Sequence, residues 1–287
     1  VTAPQPSLPR QYVLASAMIV VLTVLATIVG LFVPGFYRDA PSLLPQLYGQ
    51  DLLTLSVAVP AYIVALYYAA RESLRGYVAW LGLSGYLLYT YASYAFMTAF
   101  NELYLVYTAL LWLTLFAFVG GLVYLDAAAL KRAVGDIAVR PYVAFQLLLA
   151  VLITGLWLSE VLPATLSGTV PSSVAEAGLP TSVIYSFDLG IIVPAFVLTA
   201  YWLWERRPWG YAFTAVLLVK VATLGGAVLA MAATMIRDGQ PVPLPQIVIF
   251  GALTLASLGL MARLLLAIDP EREAPTAEST AERLDET

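Results

Sequence analysis

Hydrophobic runs set the plan of this chain. Eight stretches, roughly 12–35, 51–70, 77–100, 103–125, 142–162, 183–204, 209–236 and 245–267, are mainly apolar. Short segments rich in Pro, Gly, Tyr and charge separate them. A helix needs about twenty such residues to cross about 30 Å of hydrocarbon, and the runs lack the alternation of a membrane barrel. The pattern predicts an all-α polytopic membrane protein with eight transmembrane helices. The first run, about twenty-five residues, is too long for the core of a cleaved signal peptide and reads as a retained span.

Basic residues fix the expected orientation, because Lys and Arg concentrate on the cytoplasmic side. With both termini inside, the inner segments hold Arg10, Arg71, Arg75, Lys131, Arg132, Arg140, Arg206, Arg207, Arg263, Arg272 and Arg283. The outer segments hold only Arg38 and Arg237, and Lys220 is left within a span. The expected location is the plasma membrane, with cytoplasmic N- and C-termini. The inner loop "DAAALKRAVGDIAVRP" reads as a short interfacial helix. The outer loop "LPATLSGTVPSSVAEAGLP" reads as either a plain connection or a partly ordered cover.

Composition agrees with this plan. The chain is 61% hydrophobic and 11% charged, against about 45–50% and about 25% in soluble domains. Residues 269–287 carry seven acids and no apolar period, the signature of a disordered acidic cytoplasmic tail. With no cysteine and no histidine, the chain has no disulfide or thiolate chemistry and lacks the usual metal ligand and neutral-pH base. No metal site, no cofactor and no nucleic-acid partner is implied. The lipid bilayer is the expected partner, and the oligomeric state is left open.

Two parts of the chain resemble each other. "LPQLYGQDL" enters the second span and "LPTSVIYSFDL" the sixth; those spans leave through "RESLRGYVAW" and "ERRPWGYAFT". The fourth and eighth spans close with "LVYLD" and "LLAID". These matches suggest a parallel 4+4 internal repeat. Its first half is 1–125 and its second 142–268, joined by a basic linker, 126–141. The other explanation is that span ends reuse Tyr, Pro, Gly and charge in any membrane protein.

Polar residues within the runs are the candidate chemistry, since ionisable groups in a bilayer usually face the bundle interior. Asp51 and Asp188 would face each other across the seam between halves and hold a cation, a proton or an amine. Alternatively, both simply favour outer helix N-termini. Tyr185 lies one turn before Asp188 on the same face, and Glu102 and Glu160 mark outer ends. Lys220 sits near mid-depth, beyond snorkelling range. Axial rises place it roughly 10 Å from the level of Asp188, a gap that tilt or a kink at Pro194 would have to close. It is either a binding group or an interhelical tie.

Tyr62, Tyr91 and Tyr94 lie too deep for an aromatic belt and need hydrogen-bond partners; Asn101 opens the fourth span. Ala222, Gly226 and Ala230, and Gly251, Leu255 and Gly259, form small-residue strips expected to bring the last two spans together. The ligand-site candidates are therefore Lys220, Asp188, Asp51, Tyr185, Tyr91, Tyr94, Tyr62, Asn101 and Glu102. They suit a transporter, channel or ligand-binding protein for a small molecule or ion. The alternatives are an intramembrane enzyme using Asp, Glu, Lys or Tyr, or a structural assembly subunit.

The topology has a direct test in a cysteine-free chain. Single cysteines replacing Asp39 or Ser173 should react with an impermeant thiol reagent in intact cells, and those replacing Val134 or Thr280 should not. Labelling at 134 would overturn the orientation.

Overall fold

The computed structural model describes residues 8–269; the acidic tail from Pro270 onward, expected to be disordered, lies outside them. Among the described residues every regular element is helical. In chain order the elements are α1 (Arg10–Phe32), α2 (Leu44–Ala69), α3 (Leu74–Met97), α4 (Tyr104–Tyr124), α5 (Ala127–Val134) and α6 (Arg140–Ser167). There follow α7 (Ser172–Glu176), α8 (Val183–Trp204), α9 (Pro208–Arg237) and α10 (Leu244–Ala267).

Local chemistry sets these limits. Ser73 caps α3 by accepting from the Gly76 N–H, and Asp126 caps α5 by accepting from the Ala129 N–H at 2.8 Å, each satisfying an orphan donor of the first turn. Proline opens α6, α9 and α10, where its missing N–H costs nothing. Left-handed Gly168 ends α6. That helix runs through Pro163 and takes up part of the outer loop, and α7 takes up another part.

Seven helices are long and apolar enough to cross a membrane: α1, α2, α4, α6, α8, α9 and α10. The pattern also reads α3 as a span, and at 24 residues it is as long as the others. Its Tyr, Ser, Thr and Gly content lowers its hydropathy. Sixteen of its 24 residues are buried against protein, so this helix needs little lipid-compatible surface. It packs between α2 and α4 on one side and against α9 on the other.

α1, α2, α3 and α4 close on themselves, with α1 packed against α4. In the second set α6 packs on α8, α8 on α9 and α9 on α10, yet α6 and α10 make no comparable contact. The sets are joined by α9, which packs along both α2 and α3. Gly49 makes the first approach possible, since a Cβ there would lie 2.5 Å from the Met231 backbone. Gly82 does the same for α3, where a Cβ would collide with Val219.

The small-residue strips act differently from expectation. α9 and α10 do touch, but through Gly225 beside Thr254 and a bond from Ser257 to the Leu218 carbonyl at 3.1 Å. Gly251 and Gly259 face open space and Leu255 is exposed. Gly226 and Ala230 instead line the contact with α2, beside Leu53 and Gly49. The strip on α10 is one-third of a turn off the contact face, and the one on α9 serves a different neighbour.

Several features of α2–α3 recur in α8–α9 at a constant spacing of 134 residues. Each first helix carries a π-helical turn, Thr54–Ala58 and Asp188–Ile192, closed by a Val N–H bonding five residues back. Each turn is followed by Val-Pro-Ala. Proline cannot donate and its ring crowds the carbonyl four residues earlier, and the wider turn accommodates both. Each pair is joined through a left-handed residue, Glu72 or Arg206, the only non-glycine residues with positive φ among those described. Gly76 and Gly210 then sit against the preceding helix end at Tyr68–Ala69 and Trp202–Leu203. This register pairs Asp188 with Thr54 and Asp51 with Tyr185, three residues from the pairing that the Tyr-x-x-Asp-Leu match suggests.

Gly49→Ala should therefore lower stability in detergent by about 1–3 kcal/mol, because the new methyl meets backbone that cannot rotate away. Gly155→Ala, at a position open on all sides, should be neutral or mildly stabilising. Equal melting behaviour of the two variants would show that the α2–α9 approach is not tight.

Candidate functional site

Lys220 lies twelve residues into the 30-residue α9 and is only 4% exposed. Its ammonium sits over the ring of Tyr89 from α3, 4.2 Å from the centroid. The Tyr89 hydroxyl donates to Asp188 Oδ1 at 2.9 Å, and Trp157 Nε1 from α6 donates to Oδ2 at 2.8 Å. Lys220 and Asp188 form no direct ion pair. A cation and an anion thus share one cluster with an aromatic ring between them.

The two charges are not equally satisfied. Both carboxylate oxygens accept a hydrogen bond, whereas the three N–H donors of the ammonium meet no acceptor among the described residues. A desolvated cation–π contact is worth roughly 2 kcal/mol, and removing an ion from water costs several. The ring alone does not support the charge. The Asp188 carboxylate in the same cluster adds an attractive field, and the ammonium keeps hydrogen-bonding capacity to offer.

The 134-residue register explains the position. Lys220 corresponds to Tyr86 and Asp188 to Thr54. Those two bond directly, Thr54 Oγ1 to Tyr86 Oη at 2.8 Å. The level at which α2 and α3 exchange a neutral hydrogen bond is the level at which α8 and α9 bring their charges together. The Tyr89 side chain bridges the expected axial gap, and a wide turn begins at Asp188, just before Pro194.

A second polar group continues along α6 and α8 toward Ser173 of α7. Trp157 packs on Tyr185 with centroids 4.9 Å apart. The Tyr185 hydroxyl donates to Glu160 Oε2 at 2.7 Å, and Ser173 of α7 donates to the same oxygen at 2.6 Å. From the surface inward the order is Glu160, Tyr185, Trp157, Asp188, Tyr89, Lys220.

Asp51 belongs elsewhere. It is 2% exposed and accepts from Tyr37 at 2.5 Å and Tyr94 at 2.9 Å, with Gly30 of α1 too close to carry a side chain. Tyr91 and Tyr107 pack edge and face around Tyr94. The expectation that Asp51 faces Asp188 across the seam is not met. Gly49 and Leu53 turn toward α9, which leaves residue 51 on the opposite face of α2, inside the first four helices. Beside it Gln50 donates to Tyr86 at 2.8 Å and Thr90 at 2.9 Å.

The other candidates disperse. Tyr62 is sealed in a core network with Ser16, Trp80 and Ser84. Asn101 turns the α3–α4 loop by accepting from the Leu103 N–H at 3.0 Å. Glu102 pairs with Arg38 at the surface, and a backbone N–H together with that guanidinium holds its carboxyl below the usual range. Burial raises the Asp39 carboxyl despite its bond from the Ala99 N–H. The nine candidates therefore fall into separate groups. Only Lys220, Asp188 and Tyr185 lie along one polar line.

Sequence reasoning missed Tyr89, Trp157, Tyr37 and Gln50. Tyr89 stood in the run "YLLYTYASY" with nothing to distinguish it from its neighbours. Trp157 carried a signal, a buried N–H donor in the middle of an apolar run. The chain matches no protein-family model, no curated protein and no solved structure, so its function is read from its own residues.

Tyr94→Phe should destabilise the protein by about 1–3 kcal/mol, since it removes one of two donors from a buried carboxylate. Tyr68→Phe, at an exposed ring, is the control. Equal melting temperatures for the two variants would show that Asp51 does not depend on its phenols.

Proposed function

We propose that this chain is an eight-span protein of the plasma membrane with cytoplasmic termini, built from two parallel four-helix halves, which binds and translocates a small solute or ion through the Lys220 cluster. Support for the eighth span comes from α3, which returns between α2 and α4 through short connections and is long enough to cross. With it counted, all the basic residues except Arg38, Arg237 and Lys220 fall on one side, in keeping with the positive-inside bias. The recurrence of the π-turn, the Val-Pro-Ala sequence, the left-handed residue and the packed glycine supports a repeat.

The observation that carries the function is the ammonium of Lys220, buried at the junction between halves with no acceptor for its protons among the described residues. A purely structural lysine would be expected to close on Asp188 directly, because a buried charge is tolerated best when paired and hydrogen-bonded. Here Tyr89 and Trp157 occupy the carboxylate instead. A solute carrying an acceptor group, carboxylate, carbonyl or hydroxyl, would complete Lys220, and a cationic portion of it would find Asp188. The line of polar side chains toward Glu160 gives an approach from the outer side.

Lys220→Met keeps length and bulk and removes the nitrogen. Purified wild type should show a thermal shift with at least one member of a panel of small charged solutes and inorganic cations. The variant should insert and melt as wild type does yet lose that shift, and proteoliposomes carrying it should lose flux of the same solute. Glu102→Gln should retain both. A variant that only loses stability would identify a structural tie, and one as stable and active as wild type would remove Lys220 from the function.

A further inference from the structure

Away from the Lys220 cluster, at the other end of α9, lies an open cleft of about 520 Å³ lined by Ala128, Lys131, Arg132, Gly135, Asp136, Arg206, Pro208 and Tyr211. Its walls are α5, the loop after it, and the turn between α8 and α9. Three cations converge there. Arg206 bonds Asp136 at 2.6 Å and reaches the Tyr211 hydroxyl at 3.4 Å. Arg132 lies 4.0 Å from Asp126. The Lys131 side chain makes no ion pair or hydrogen bond among the described residues.

Both ion pairs are exposed, with side-chain exposures of 46% and 90% for Arg206–Asp136 and 40% and 38% for Arg132–Asp126. Exposed pairs of this kind contribute little stability, so both guanidiniums can turn to a stronger anion. The corresponding turn in the first half differs in sign. There the left-handed residue is Glu72, and Arg75 is spent on the carbonyl of Ile268 at 3.0 Å. Of the two turns, only the one between α8 and α9 has a cation as its left-handed residue, and α5 adds two more.

Its depth points to the ligand. Beside the turn, Trp202 and Trp209 pack on Phe213 at 6.0 and 5.6 Å, and Trp204 and Trp209 are substantially exposed. Indole rings favour the level of the lipid headgroups. A cluster of Lys and Arg at that level on the inner side meets the negative surface of the cytoplasmic leaflet, and basic pockets between helices there hold anionic headgroups.

We propose that the Lys131–Arg132–Arg206 cleft binds the phosphate-bearing headgroup of an anionic phospholipid of the inner leaflet. Guanidinium groups match phosphate oxygens two at a time, and the Tyr211 hydroxyl supplies a further donor. The Asp136 carboxylate, released from Arg206, turns to water. This site rests on the inner-side assignment of α5 but not on the function of Lys220, so each can fail without the other.

The test uses full-length protein in nanodiscs of phosphatidylcholine alone or with phosphatidylglycerol, and inorganic phosphate added in detergent. Phosphatidylglycerol should raise the melting temperature, and native mass spectrometry should show the anionic lipid retained. Its apparent affinity should fall about fivefold for each cation removed, in Lys131→Gln and in the doubly substituted Lys131→Gln, Arg132→Gln. Neither change touches the α8–α9 turn, so misfolding does not obscure the result. Arg71→Gln, on the other inner turn, should have no such effect. An equal loss in Arg71→Gln would reduce the effect to diffuse surface charge and overturn the site. Protection by inorganic phosphate with no preference for phosphatidylglycerol would overturn the lipid and make the ligand a free phosphate. Binding of neither would overturn the proposal, and the acidic segment beyond Asp269 would become the next anion to consider.

Discussion

Backbone contact between α2 and α9 joins the helices α1–α4 to α6–α10, and the placement of the polar groups at that junction depends on it. Gly49 and Gly82 let α9 lie directly against α2 and α3, closer than any side chain would allow. Without a hydrophobic drive between helices in lipid, such close packing is the main source of association. It also fixes rotation. With Gly226 and Ala230 turned toward α2, the Lys220 side chain is aimed at Tyr89 on α3. The same rotation of α2 that presents Gly49 to α9 hides Asp51 on the far side.

Two carboxylates in comparable surroundings are thus treated differently. Asp51 is enclosed by neutral donors from its own half, Tyr37 and Tyr94, with no cation beside it. Burial and the neighbouring carboxylate both push the Tyr37 phenol, which lies in the outer loop, toward its protonated form, so that hydroxyl remains a donor to Asp51. Asp188 takes one neutral donor from each half, Tyr89 and Trp157, and faces an ammonium. The first arrangement is sealed and suits a fixed structural group. The second reaches across to Tyr89 of α3, so movement of α3 relative to α8 and α9 changes the contact that Tyr89 makes with both charges.

The helices were legible from the chain because hydrophobic length is a one-dimensional property. So were the turn chemistry at Gly76 and Gly210 and the interior placement of Lys220. Helix rotation was not legible. The strip Gly251–Leu255–Gly259 is as regular as the one on α9, yet it faces away from protein; small residues permit contact without specifying it. The pairing of Asp51 with Asp188 failed for a related reason. A Leu-Pro and Tyr-x-x-Asp match at a helix entrance lies three residues out of step with the spacing that the two π-turns and the Val-Pro-Ala sequences after them share. The deep tyrosines misled because a hydroxyl in an apolar run announces that a partner exists but not which one. Tyr62 found a core network and Tyr94 a carboxylate.

The features that recur at a 134-residue spacing set the Lys220 cluster beside a neutral counterpart. At Thr54 and Tyr86 the first half has two hydroxyls that satisfy each other, with Gln50 completing the network. At the matching positions, Asp188 and Lys220, a carboxylate and an ammonium stand instead, and they meet through the Tyr89 side chain rather than by a direct bond. The cost of two charges in hydrocarbon is carried partly by the first half, whose Tyr89 serves both charges at once. If stability were the only requirement, the hydroxyl pair would have served equally well in the second half, since replacing buried ion pairs by well-matched neutral groups is often neutral or stabilising. The closed first half and the open second half differ in the same sense: α1 and α4 shut one bundle, while α6 and α10 leave the other apart. The charges therefore sit in the half whose packing leaves room for change, braced against the half that does not.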